Sequence, residues 1–170
     1  MVPEIEKILY ATDLSQNAAY AFSYADYLAE KLDAKIIILH VVEKMSPDAQ
    51  ITLQTYLDAE DHKKLLAERA NHAIERIKKT LKTFCEKELQ GDQQIEDRIE
   101  SIKVCKGYPA EEILKKTVAL NCDAIVMGAH EKGSTHTFLG SVAKSVLRRS
   151  RHPTFVVPLP RGEIDLSVHD

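Results

Sequence analysis

The sequence predicts a doubly wound α/β domain, a parallel sheet with helices on both faces. Three observations carry this. Strand-like and helix-like segments alternate from end to end, a pattern that right-handed crossovers convert into a parallel sheet. Ala34 to Val42 (AKIIILHVV) is a long apolar run rich in β-branched residues, as expected of a central strand covered on both faces. A second run, Ile125-Val126-Met127, ends on Gly128 and empties into a loop that carries Gly133 and Gly140 before a helix begins.

Ile5 to Tyr10 (IEKILY) reads as the first strand, turning at Ala11-Thr12-Asp13 with Ser15 available to cap the next helix. From Asn17, apolar residues at Ala18, Ala21, Phe22, Ala25, Leu28 and Leu32 fall three and four apart, on one face of a helix. The second strand, Ala34 to Val42, is broken by Ser46-Pro47-Asp48, and Met45 to Thr55 shows no period and reads as a loop. One long helix is expected from near Leu57 to Leu89. Its stripe is Leu66, Ala70, Ala73, Ile74, Ile77, Leu81 and Phe84, too few heptads for a coiled coil. Gly91-Asp92 ends it, and Ile99 to Cys105 alternates as a third strand. Gly107-Tyr108-Pro109 opens another helix, with Pro109 suited to the first position and Glu111 and Glu112 to the positive end of the dipole. Asp123 to Met127 is the fourth strand, Gly140 to Ser150 the last helix and Thr154 to Val157 the fifth strand.

Composition bounds the function. The 170 residues fit one domain, taken as 1–160 with a C-terminal tail at 161–170. A charge of −3 gives no electrostatic footprint for nucleic acid, and no apolar run approaches the ~20 residues of a membrane span. The N-terminus, MVPEIEK, is acidic where a signal peptide is basic, so the expected setting is the cytoplasm. Cys85, Cys105 and Cys122 are odd in number and without CxxC spacing, and are read as reduced thiols, Cys122 packed beside a strand.

The organising stretch is Asp123 to Ser145. Gly128 permits backbone geometry closed to other residues, and Gly140-Ser141 precedes the apolar pattern Val142, Val146, Leu147. The first N–H groups of such a helix lack intrahelical partners and point at whatever fills the loop, as in phosphate sites. In this fold class ligands bind beyond the carboxyl ends of the strands, where the strand order reverses. If the first and fourth strands are neighbours there, Asp13 and the glycine loop face one crevice.

The opening strand with Asp13, LHVV at Leu39 to Val42, GYPAEEIL at Gly107 to Leu114, and above all DAIVMGAH…LGSVAKSVLRRSRHPTFVVP together resemble the universal stress protein family over nearly the whole chain. The resemblance implies a five-stranded sheet in the order 3-2-1-4-5, adenine-nucleotide alpha-hydrolase-like, and a homodimer through the last strands. It further implies ATP or AMP, with Mg or Mn, lying across the first and fourth strands. By position, Asp13 beside Thr12 and Val41 border the adenine, Gly128 beside Met127 the ribose, and the loop from His130 through Gly133 to Gly140, Ser141 and Val142 the phosphates.

The chain departs from the family's G-x2-G-x9-G-[ST] signature. Glu131 stands at the second glycine, and eight residues, not nine, separate it from Gly140. Re-registered on Gly133 the loop reads G-x4-G-x6-G-S. A carboxylate ~4 Å from a phosphate charge, at an effective dielectric of ~20, costs ~4 kcal/mol before metal or rotamer relief.

Plainer readings stand beside these. Asp13 serves equally as a helix cap, and Ser141 as a cap rather than a nucleophile, there being no acid–base pair around it. His130 and His136 fit an exposed polar loop better than a metal site, and His40 a hydrogen-bonded core histidine. Lys144, Arg148, Arg149 and Arg151 suit the negative end of a helix. Three functions are compatible with these residues: a nucleotide-binding stress-response protein; a dimeric interaction scaffold without nucleotide; and, last, an enzyme. Neither a Walker lysine motif nor an SGGxDS-type loop is present, so the chain is read as a non-enzyme with no catalytic residues.

Overall fold

The computed structural model describes residues 1–15, 18–44, 47–88, 94–129 and 139–158, with only the backbone of 84, 85, 87 and 88. Five strands, β1 (Lys7–Ala11), β2 (Lys35–Glu43), β3 (Ile99–Gly107), β4 (Ala124–Gly128) and β5 (Thr154–Val157), form one sheet. The order is β3-β2-β1-β4-β5 and every pairing is parallel. The alternation of strands and helices is thus realised as a doubly wound sheet, with its reversal between β1 and β4.

Strand parity sorts the core into two layers. Ile8, Tyr10, Ile36, Ile38 and Val126 face α1 (Ala18–Leu32) and α3 (Ala59–Glu88), meeting Ala21, Phe22, Ala25 and Ile77. Leu9, Ile37, Leu39, Val41, Ile125 and Met127 face α5 (Pro109–Ala119) and α6 (Ser141–Arg149), meeting Ile113, Ala143 and Val146. The apolar runs of β1, β2 and β4 follow from burial on both faces.

Three sequence expectations need correction. Met45 to Thr55, read as a loop, contains α2 (Pro47–Tyr56), which has Pro47 and Asp48 in its first turn and buries no residue, so no apolar period could reveal it. Between α3 and β3 lies a further short helix, α4 (Gln94–Arg98), held through buried Ile95. The stripe of α3 is covered mainly at its middle, where Ala73 and Ile77 are buried, while Leu66, Ala70 and Ile74 are half-buried. Asp58 starts this helix by accepting a hydrogen bond from the Asp61 N–H at 2.8 Å.

Asp123 precedes β4 rather than opening it. Its carboxylate accepts from the N–H groups of Glu6 and Lys7, both at 2.9 Å, and its own N–H donates to the Lys7 carbonyl at 2.8 Å. This clamp sets β4 against β1 and so sets which residues meet at the opposite, carboxyl end.

Candidate functional site

The β1–β4 register pairs Ala11 with Met127, which puts Thr12 and Gly128 side by side where both strands end. Thr12 keeps one more tie to the sheet, its N–H donating to the Leu39 carbonyl at 2.9 Å. The chain then folds into a tight turn. The Leu14 N–H donates to Thr12 Oγ1 at 3.2 Å and the Ser15 N–H to Asp13 Oδ1 at 2.9 Å, with Leu14 at φ 61°. Asp13 is exposed at the tip of this turn. Its carboxylate therefore bonds within the loop, an Asx turn, ahead of a helix that begins only at Ala18.

Across the reversal, the Ala129 N–H donates to the Val157 carbonyl and the Ala129 carbonyl accepts from the Gly140 N–H, each at 2.8 Å. The second bond brings the start of α6 back beside the end of β4. Gly140 is the cap residue, at φ −64° and ψ 163°, so Ser141 is the first helical residue and not the cap, which corrects the expectation for its hydroxyl. A glycine cap offers no side-chain oxygen to the first amides of α6.

Gly128 also differs from expectation. Its φ is not in the left-handed region, and among the described residues no atom lies within 4 Å of where a Cβ would stand. Among the described residues nothing crowds this position, and its backbone does not require glycine. Gly107 is the reverse: a Cβ there would stand 2.6 Å from Glu112 Cγ.

The fold thus brings together Thr12, Asp13, Met127, Gly128, Gly140, Ser141 and Val142. Val41 and Met127 are buried in the α5/α6 layer. His130, Glu131, Gly133 and His136 lie outside the described residues. Among the described residues no group of three or more His, Cys, Asp or Glu side chains could hold a metal, and no helix is long and apolar enough to cross a membrane.

Sequence reading treated His40 as a hydrogen-bonded core histidine. The structure places it half-buried on β2 and supplies the partner, the Thr12 carbonyl oxygen 2.8 Å from Nδ1 at the start of the turn. Its position at the end of an apolar strand, level with the first loop, was the available signal.

The model of the universal stress protein family matches residues 4–158. The chain belongs to this family. A universal stress protein of Methanocaldococcus jannaschii is 28% identical over 153 residues, 89% of this chain and 94% of that one. The solved structure of that protein superposes with a TM-score of 0.66 at 28% identity, covering 91% of this chain and 96% of the other. Two more distant universal stress proteins share the fold. One, in complex with cAMP, has a TM-score of 0.59 at 20% identity, covering 91% and 98% of the two chains. The other, from Archaeoglobus fulgidus in complex with dAMP, has a TM-score of 0.54 at 18% identity, covering 91% and 99%.

Proposed function

We propose that this universal stress protein binds ATP or AMP across the carboxyl ends of β1 and β4 and acts as a cytoplasmic stress-response regulator, not as an enzyme. The observation that carries the reading is that, among the described residues, nothing crowds Gly128, which stands between the Asp13 turn and the glycine-capped start of α6. A flat base and ribose fit where a side chain is missing, and a helix N-terminus favours phosphate. Nucleotides in two proteins of the same fold, cAMP and dAMP, support the class of ligand. In this reading Mg2+ or Mn2+ arrives on the phosphates, since the described residues offer no ligand cluster. The second reading, a dimeric scaffold without nucleotide, is favoured by one feature, Glu131 in a loop one residue short of the family signature.

Mass spectrometry of protein purified without added nucleotide, followed by titration calorimetry with ATP and AMP, tests the proposal. Bound adenine nucleotide, tightened by Mg2+ and weakened by ~1–3 kcal/mol in Asp13→Ala, the scale for losing a polar partner, is the expected result. An empty protein that ignores millimolar ATP would instead establish the scaffold.

A further inference from the structure

We infer that His40 is the positioning residue of this site: its ring locks the Thr12–Ser15 turn and thereby fixes where the Asp13 carboxylate stands. The role of positioning a ligand contact rests on the nucleotide reading above; the lock itself does not.

A carbonyl oxygen has only lone pairs to offer, so the ring nitrogen 2.8 Å from the Thr12 oxygen must carry the proton. Nδ1–H is therefore the donor of this bond. The bond falls where main-chain pairing has stopped. The β1–β2 ladder ends at Ala11 opposite Leu39, while β2 continues to Glu43 paired with β3 alone. His40 therefore adds one side-chain rung beyond the last backbone register. With the Thr12 N–H on the Leu39 carbonyl, the peptide groups on both sides of the Thr12 Cα are held.

The clamp acts on the turn immediately beyond Thr12. Leu14 adopts φ 61°, a conformation leucine rarely takes, and such residues persist where their surroundings over-determine them. The Leu14 and Ser15 amides close the turn onto Thr12 Oγ1 and Asp13 Oδ1, so the orientation of Asp13 depends on where the Thr12 peptide is fixed. Packing alone does not account for a histidine here, since its same-face neighbours on β2, Ile36 and Ile38, are aliphatic.

The test compares His40→Asn, whose amide nitrogen can reach the place of Nδ1, with His40→Leu, which keeps bulk and loses the donor. Amide exchange is followed by NMR at Leu14 and Ser15, with Ile37 as a core reference, and ATP affinity is measured in parallel. His40→Leu should speed exchange at Leu14 and Ser15 about tenfold against Ile37 and weaken ATP about tenfold, the scale of one hydrogen bond, with His40→Asn within about threefold of wild type on both. Identical behaviour of the two variants, or unchanged exchange in His40→Leu, would overturn the proposal. If wild type binds no ATP, the nucleotide reading fails while the exchange data still decide the lock. Should His40→Leu not fold, the ring nitrogen spectrum of the wild type decides it, an Nδ1 without a proton refuting the bond.

Discussion

Asp26, on α1, accepts two hydrogen bonds from the Arg98 guanidinium, Nε to Oδ1 at 2.7 Å and Nη2 to Oδ2 at 3.1 Å, with only 5% of Asp26 exposed. The fork geometry ties α1 to the end of α4, and so to the start of β3, at the far edge of the sheet. Removing the cation would leave a carboxylate in the core. Arg98→Ala should cost ~3–5 kcal/mol of unfolding free energy in urea titration, the scale for breaking a buried pair from one side. A loss below ~1 kcal/mol would show that water reaches Asp26.

Gly128→Ala should separate stability from binding. With no described atom near the new methyl and φ outside the left-handed region, the melting temperature should hold or rise slightly, because alanine restricts the unfolded chain. The same methyl would stand in the space assigned to the nucleotide and weaken ATP by ~1–3 kcal/mol, as overpacking does in a filled site. Thermal melting and calorimetry on one preparation check both halves. A drop in stability would mean that the space is not open.

Glu131→Gly addresses the two readings of function directly. If the loop wraps phosphates, the change removes a like charge and should tighten ATP by ~1–3 kcal/mol after screening by solvent and metal. AMP, with one phosphate, should gain much less. If neither wild type nor variant binds millimolar ATP, the missing residue rather than the charge is the obstacle, and the scaffold reading leads.

β5 is an edge strand with Phe155 44% exposed, its ring stacked on Tyr24 at 5.9 Å between centroids. An apolar edge of this kind is stable when paired, and the proposed partner is a second copy of the chain. Light scattering at micromolar protein should give twice the chain mass for wild type and the single mass for Phe155→Lys. A monomeric wild type would remove the dimer from the functional proposal.

Alkaline pH should destabilise the fold through two groups. Burial pushes the Cys122 thiol from 9.0 up to about 11, against the lowering effect of Lys7, and burial also raises the Tyr10 phenol, whose hydroxyl donates to the Ala18 carbonyl at 2.6 Å. A raised folded pKa means that the unfolded chain ionises first. The thiol's contribution is therefore complete below pH 9 and is lost as pH climbs toward 11. Urea midpoints of wild type and Cys122→Ala between pH 7 and 10.5 should converge as pH rises, by at most ~2 kcal/mol. Parallel curves would show that the thiol does not titrate differently in the folded state.

What the sequence determined by itself was whatever burial writes into local pattern. A strand covered on both faces must be apolar at every position, so β1, β2 and β4 were legible, as was α1 from its three- and four-residue spacing. The site's parts could be named as well, since Asp13 and Gly128 each come just after such an apolar run. Where no face is buried, nothing is written, and α2 therefore passed for a loop. Tertiary structure alone decided the remaining relations, each of which depends on how separate segments align: the reach of Arg98 to Asp26, 72 residues apart, and the rung from His40 to Thr12, 28 apart. A hydrogen bond between distant residues requires distance and direction together, and only the packed arrangement of strands and helices supplies them.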